Sequence, residues 1–205
     1  MSRARKLLRL GVLGGRASEE PPEPTALFLD TFTDADGTAL AAHTPDVDAS
    51  GNGWADLDGT AQITGGKAIM KDPPEIGAAA LVAADVGLAD GVVRVTLHTG
   101  SSTVFRCSDP GNHWEAYYLD GYVVAAKRTS EEGWEEVDST AYTPADPNSV
   151  TLTVTLAGSS ITVVADNDPA STIQVTDAAH QTATKHGLLF YDETAAADDF
   201  SITAA

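Results

Sequence analysis

Cysteine is almost absent from this 205-residue chain, which holds Cys107 and no other. A disulfide framework is thereby excluded. Cys107 lies in the strand-like run STVFRCS, which predicts a buried structural thiol rather than a nucleophile. Basic residues are also scarce: 12 Lys and Arg stand against 30 Asp and Glu, a formal net charge of −18. Five of them, Arg3, Arg5, Lys6, Arg9 and Arg16, fall in the first twenty residues, which carry net +3 and leave −21 for the rest. So acidic a body repels nucleic acid and anionic membranes, whose recognition needs clustered Lys and Arg. No run approaches the roughly 18 apolar residues of a membrane-spanning helix. The opening MSRARKLLRLGVLGGRAS imitates a secretory signal, but Arg9 interrupts its apolar run and Gly14, Gly15 and Arg16 end it early. His43, His98, His113, His180 and His186 are scattered without zinc-ligand spacing, and no G-x-S-x-G, H-E-x-x-H or P-loop pattern occurs.

What is present divides the chain in two. Residues 1–25 read as a basic, leucine-rich arm followed by the Pro- and Glu-rich spacer SEEPPEPT, stiffened by proline and extended by like charge. Residues 26–205 read as one β domain. In GVVRVTLHT, Val93, Val95 and Leu97 share one face while Arg94, Thr96 and His98 share the other. In VTLTVTLAG, Leu152, Val154 and Leu156 point inward and Thr151, Thr153 and Thr155 outward. ITVVAD, STIQVT, HGLLFYD and DDFSITA follow. Such period-two runs rich in Val, Ile and Thr, separated by Gly, Asn, Asp and Pro, predict an all-β sandwich. Roughly a dozen strands are expected, more than an immunoglobulin-type sandwich needs, which favours a two-sheet antiparallel jelly roll. Outside the arm, only DAAHQTATK has helical character, and it is short.

The stretch DVDASGNGWADLDG, residues 46–59, alternates acidic residues with glycines as a calcium loop does. Asp46, Asp48, Ser50 and Gly51 fit the opening of an EF-hand loop, but the closing bidentate position is Leu57 and no periodic helix flanks it. The expectation is a turn-rich loop that delivers Trp54 to the edge of the core. Gly51, Asn52 and Gly53 would supply positive-φ positions, and the aspartates would stay solvated.

The order of motifs resembles a concanavalin A-like, laminin-G-type jelly roll over residues 26–204. Phe28, Asp30 and Phe32 form an F-x-D-x-F strand. Trp54 precedes Gly59, Ile63 and Gly66 in G-x-x-x-I-x-x-G. Phe105, Arg106, Asp109, Asn112 and Trp114 match a central hairpin, HGLLFYD a penultimate strand, and Asp198, Asp199, Phe200 and Ile202 the closing strand. The resemblance implies a calcium ion, the one cofactor expected, held near both chain ends by Asp30 and Asp199. Trp114, Tyr117, Tyr118, Tyr122 and Trp134 fall in adjacent strand-like segments, and the expected glycan site is an aromatic shelf, Trp114 and Tyr118 foremost, stacking on sugar while Arg106, Asp109 and Asn112 bind hydroxyls. Tyr117 and Tyr118 must face opposite ways, so at least one of them is inward. Glucanases of this fold carry E-x-D-x-x-E on one strand, a carboxylate pair for acid and nucleophile. EEGWEEVD, at Glu131 to Asp138, lacks that spacing, and no enzyme is expected.

Domains of this kind are common in bacteriophage virions. On that resemblance, the leading expectation is a structural protein of the particle surface, decorating the capsid or tail. Arg5, Leu7, Leu8, Leu10, Val12 and Leu13 would anchor it to another virion protein, as a homo-oligomer, with the jelly roll free to meet a surface glycan. The rival is a secreted bacterial carbohydrate-binding module or lectin, and behind it a sugar-acting hydrolase.

Overall fold

The computed structural model describes residues 25–71 and 79–205. The expected anchor (Arg5, Leu7, Leu8, Leu10, Val12, Leu13) lies outside these residues. The described chain forms sixteen strands and two short 3-10 turns. The first five strands are β1 (Ala26–Asp30), β2 (Val47–Asp48), β3 (Trp54–Asp58), β4 (Ala61–Thr64) and β5 (Lys67–Met70). The long central strands are β6 (Ala80–Asp85), β7 (Gly91–His98), β8 (Ser101–Asp109), β9 (Asn112–Leu119), β10 (Tyr122–Thr129) and β11 (Gly133–Ala141). The chain closes with β12 (Ser149–Ala157), β13 (Ser160–Ala165), β14 (Ile173–Thr176), β15 (Lys185–Phe190) and β16 (Ala196–Thr203).

All pairings are antiparallel and sort into two sheets. A nine-stranded sheet runs β14-β13-β12-β7-β16-β1-β2, with β5 also on β16 and β4 on β5; a seven-stranded sheet runs β11-β10-β9-β8-β15-β6-β3. The core lies between them, and period-two alternation builds it. Val93, Val95 and Leu97 of β7 and Leu152, Val154 and Leu156 of β12 are all buried, as their spacing requires. First and last strands are neighbours, with Asp30 opposite Phe200.

Around that junction Trp54 sits among three phenylalanines, its ring centroid 5.0 Å from Phe28, 5.0 Å from Phe200 and 6.1 Å from Phe32. The stretch at 46–59 is therefore more than a loop. Trp54 begins an edge strand, β3, that pairs with β6 at Ala84, and its ring is fully inside. Gly51 and Gly53 take positive φ, but Asn52 does not. Asp48 is not left to solvent; its carboxylate collects the backbone N–H groups of Ser50, Gly51 and Gly53 and shapes the turn. Asp46 accepts the backbone N–H and the hydroxyl of Thr31. DAAHQTATK forms turns between β14 and β15, not a helix. Cys107 is buried, and burial pushes its thiol pKa up to about 11, an inert structural thiol.

Candidate functional site

The face of the seven-stranded sheet that points away from the core is not uniform. At its centre Leu81, Val104, Cys107 and Leu189 form a small apolar cluster separate from the main core. Towards β11 the character changes. Trp114 and Ala116 of β9 are core residues, so alternation turns Glu115 and Tyr117 outward. In register beside them stand Val124, Ala126 and Arg128 of β10, and Trp134 of β11 lies opposite Arg128.

These residues enclose a groove of about 410 Å³, with Ser102, Tyr117, Arg128, Trp134 and Tyr191 among its walls. A second lobe of about 350 Å³ shares Arg128 and Tyr191 and adds Asp58, His113 and Leu189. A third depression of about 290 Å³ continues beyond Tyr117 towards Tyr122 and Glu136. Trp134 and Tyr191 are 49% and 46% exposed, among the most exposed large aromatics of the described residues. A long channel with aromatic walls and a few polar groups suits a ligand that is flat on one side and hydroxylated at its edges.

Beneath the aromatics lies Glu115, 1% exposed. Its Oε1 accepts the indole N–H of Trp134 at 2.6 Å, and its Oε2 accepts the hydroxyl of Tyr191 at 2.5 Å. Burial raises the pKa of Glu115, against the opposing pull of these hydrogen bonds and the nearby Arg128 charge. Tyr117 is pushed up to about 12, by burial first and then by the charges of Glu115 and Glu136. Tyr191 is pushed up as well, by burial and then by Glu115, so both phenols stay protonated. Arg128 forms no ion pair among the described residues. The Ser102 hydroxyl in the first lobe lies against Glu115 and Tyr191, while the buried His113 Nδ1 in the second has no hydrogen-bond partner among the described residues. Burial drives the pKa of His113 down to about 4, leaving a neutral imidazole at pH 7.

The expected glycan residues are mostly elsewhere. Arg106 is fully buried, donating to Asp90 and to the carbonyls of Ala89 and Gly158. A bulge between Phe105 and Asp109, with Arg106 at φ 48°, turns it inward against simple alternation. Trp114 is also fully buried, stacked on Phe105 and donating to the Ala179 carbonyl. Asp109 and Asn112 bond to each other across the β8–β9 turn, and Asn112 reaches on to Ser130, so they staple two hairpin turns. Tyr118 packs against the core beside Tyr142 and also lines the groove. Tyr117, its outward neighbour, lines the groove together with Tyr191. Of the wider aromatic shelf, Tyr117 and Trp134 line the groove, whereas Glu115, Arg128 and Tyr191 were missed. The parity of NHWEAYYL signalled the first of them: once Trp114 is inward, Glu115 and Tyr117 must be outward.

The expected calcium pair also separates. Asp30 is buried, and both its oxygens are taken: Oδ1 by the backbone N–H of Phe32 and by His43, Oδ2 by the Trp54 indole at 2.6 Å. Asp199 sits exposed on a β16 bulge at φ 50°. Among the described residues no group of three or more His, Cys, Asp or Glu side chains is placed to hold a metal ion.

No protein-family model matches the chain, and no curated protein is similar to it in sequence. Solved structures do match. A carbohydrate-binding module, CBM66 from Bacillus subtilis, superposes with a TM-score of 0.56 at 15% identity, over 73% of this chain and 93% of its own. SCLam, a non-specific endo-β-1,3(4)-glucanase of family GH16, gives 0.52 at 11% identity, over 89% of this chain and 91% of its own. A lichenase derived from a mouse hindgut metagenome gives 0.53 at 13% identity, over 86% and 98%. The fold is a concanavalin A-like jelly roll. At these identities the likeness is one of fold, and it spans both a non-catalytic module and hydrolases.

Proposed function

We propose that this jelly roll is a non-catalytic glycan-binding domain and that the groove over β8–β11 is its site. The observation that carries the reading is the pair of half-exposed rings, Trp134 and Tyr191, standing over a polar floor in an otherwise acidic protein. Aromatic faces stack on the apolar faces of pyranose rings, while Arg128, Ser102 and His113 offer hydrogen bonds to hydroxyls at the ring edge. A buried polar atom without a partner is uncommon in folded proteins, and a ligand hydroxyl would satisfy His113 Nδ1. The two lobes meeting at Arg128 suit an oligosaccharide better than a single sugar.

Strand β9 supplies one carboxylate to the groove floor, with Tyr117 next along the same face, so it does not reproduce the paired carboxylates of a glycosidase strand. The similar carbohydrate-binding module fits a non-catalytic role, and the similar glucanases make hydrolysis the outcome to test against. Neither the described residues nor the similar structures lend support to a virion role, calcium dependence or an oligomer.

The test is calorimetric titration of the full chain with a panel of neutral and acidic oligosaccharides. A ligand is expected to bind with an affinity that Trp134→Ala lowers at least about tenfold. Absence of binding across the panel, or full affinity in Trp134→Ala, would overturn the proposal. Release of new reducing ends from any of these sugars would replace it with hydrolysis.

A further inference from the structure

Glu115 lies outside the core between the two sheets. Its neighbours Trp114 and Ala116 serve the core, and Glu115 points to the opposite face. Its register partner on β8 is Val104, part of the apolar cluster of that face. A leucine at 115 would extend that cluster. A carboxylate there is instead buried without an ion pair, an arrangement that costs stability.

The two shortest side-chain hydrogen bonds to it come from the exposed rings of the groove, with the Ser102 hydroxyl of β8 beside them. Trp134 lies on the edge strand β11, opposite Arg128 of β10, while Glu115 lies on β9, so the indole must cross β10 to reach it. At about 4.8 Å per strand spacing, that is a traverse of roughly 10 Å along the sheet. Ala126 is the β10 residue in register with Glu115 on one side and Glu136 on the other. Its lone methyl leaves room for a ring laid flat. Tyr191 comes from the other direction, directly after β15.

We infer that Glu115 is the positioning residue of the groove: one buried carboxylate holds the Trp134 indole and the Tyr191 phenol as preset stacking walls. The inference rests on the glycan-binding reading for its purpose, but not for its geometry. Without Glu115 the two rings would rotate in solvent, and a sugar would have to order them on binding. Glutamine preserves the arrangement, since its carbonyl accepts the indole N–H and its amide donates to the tyrosine oxygen. Leucine preserves volume and removes both bonds.

Glu115→Leu and Glu115→Gln in the full chain separate positioning from structural support. The three tryptophans make the readout clean, because Trp54 and Trp114 are buried and Trp134 is exposed. Acrylamide quenching of tryptophan emission without any sugar therefore reports mainly on Trp134. In Glu115→Leu the thermal midpoint is expected to hold or rise, quenching to increase, and affinity for the oligosaccharide selected from the panel to fall about tenfold. Glu115→Gln is expected to keep the quenching of the wild type and an affinity within about threefold of it. Unchanged quenching in Glu115→Leu, or an equal rise in quenching in Glu115→Gln, would overturn the inference. So would a Glu115→Leu protein whose midpoint falls along with its affinity. If no sugar binds even the wild type, the glycan reading fails, while the quenching comparison still decides the clamp.

Discussion

Two buried carboxylates in this protein each accept an indole N–H at 2.6 Å, Asp30 from Trp54 and Glu115 from Trp134. The chemistry is the same and the consequence differs. Trp54 is 3% exposed, and Asp30 also takes the Phe32 backbone N–H and His43, so it joins first strand, turn and opposite sheet inside the core. Trp134 is half in solvent, and the second bond to Glu115 comes from another surface ring. One carboxylate closes the fold; the other arranges a surface. Partner identity, not burial or charge, separates the roles.

The largest expected effect attacks the Asp30 half of this comparison. Asp30→Leu strands the Trp54 indole, the Phe32 N–H and the His43 ring, and is expected to cost about 3 kcal/mol in urea unfolding. Glu115→Leu should cost none of that, and similar losses in both would erase the distinction. Next comes Trp134→Ala, which should lower oligosaccharide affinity at least about tenfold with the thermal midpoint moved by no more than a degree or two. A matched fall in stability would make Trp134 a structural residue.

A smaller effect sharpens the Asp30 side by pH. Burial lowers the His43 pKa, but its hydrogen bonds to Asp34 and Asp30 and their charges outweigh it, so the net shift is upward. A raised histidine pKa stabilises fully below the unfolded value of 6.5 and is lost as pH rises through the folded value. Wild-type stability should therefore carry a component that fades with rising pH and that His43→Gln lacks. A parallel pH profile in the two proteins would contradict it. The smallest effect is Arg128→Ala, expected to weaken oligosaccharide binding by about two- to fivefold through one lost donor, with stability unchanged.

Much of the fold was legible because it is repetitive. β7 and β12 announce their inward residues at every second position, and F-x-D-x-F at one end with D-D-F-x-I at the other brings first and last strands together. The site was less legible for reasons that can be located. Residue type points to Trp114 and Tyr118 as platforms, yet both lie on the inward parity of β9, one position from the outward Glu115 and Tyr117. Arg106 would face outward if β8 were regular; the bulge after Phe105 reverses it. First and last strands do pair, with Asp30 opposite Phe200, but a bulge sends Asp199 to solvent while Trp54, three elements away, claims Asp30.

By itself the sequence determined the all-β sandwich, the inert thiol at Cys107 and the inward residues of its regular strands, because a two-residue period is local information. The tertiary structure alone decided that Trp134 of β11 and Tyr191 beyond β15 share the carboxylate of Glu115. Those three residues are up to 76 positions apart, and their meeting depends on strand order and bulges that no local pattern encodes.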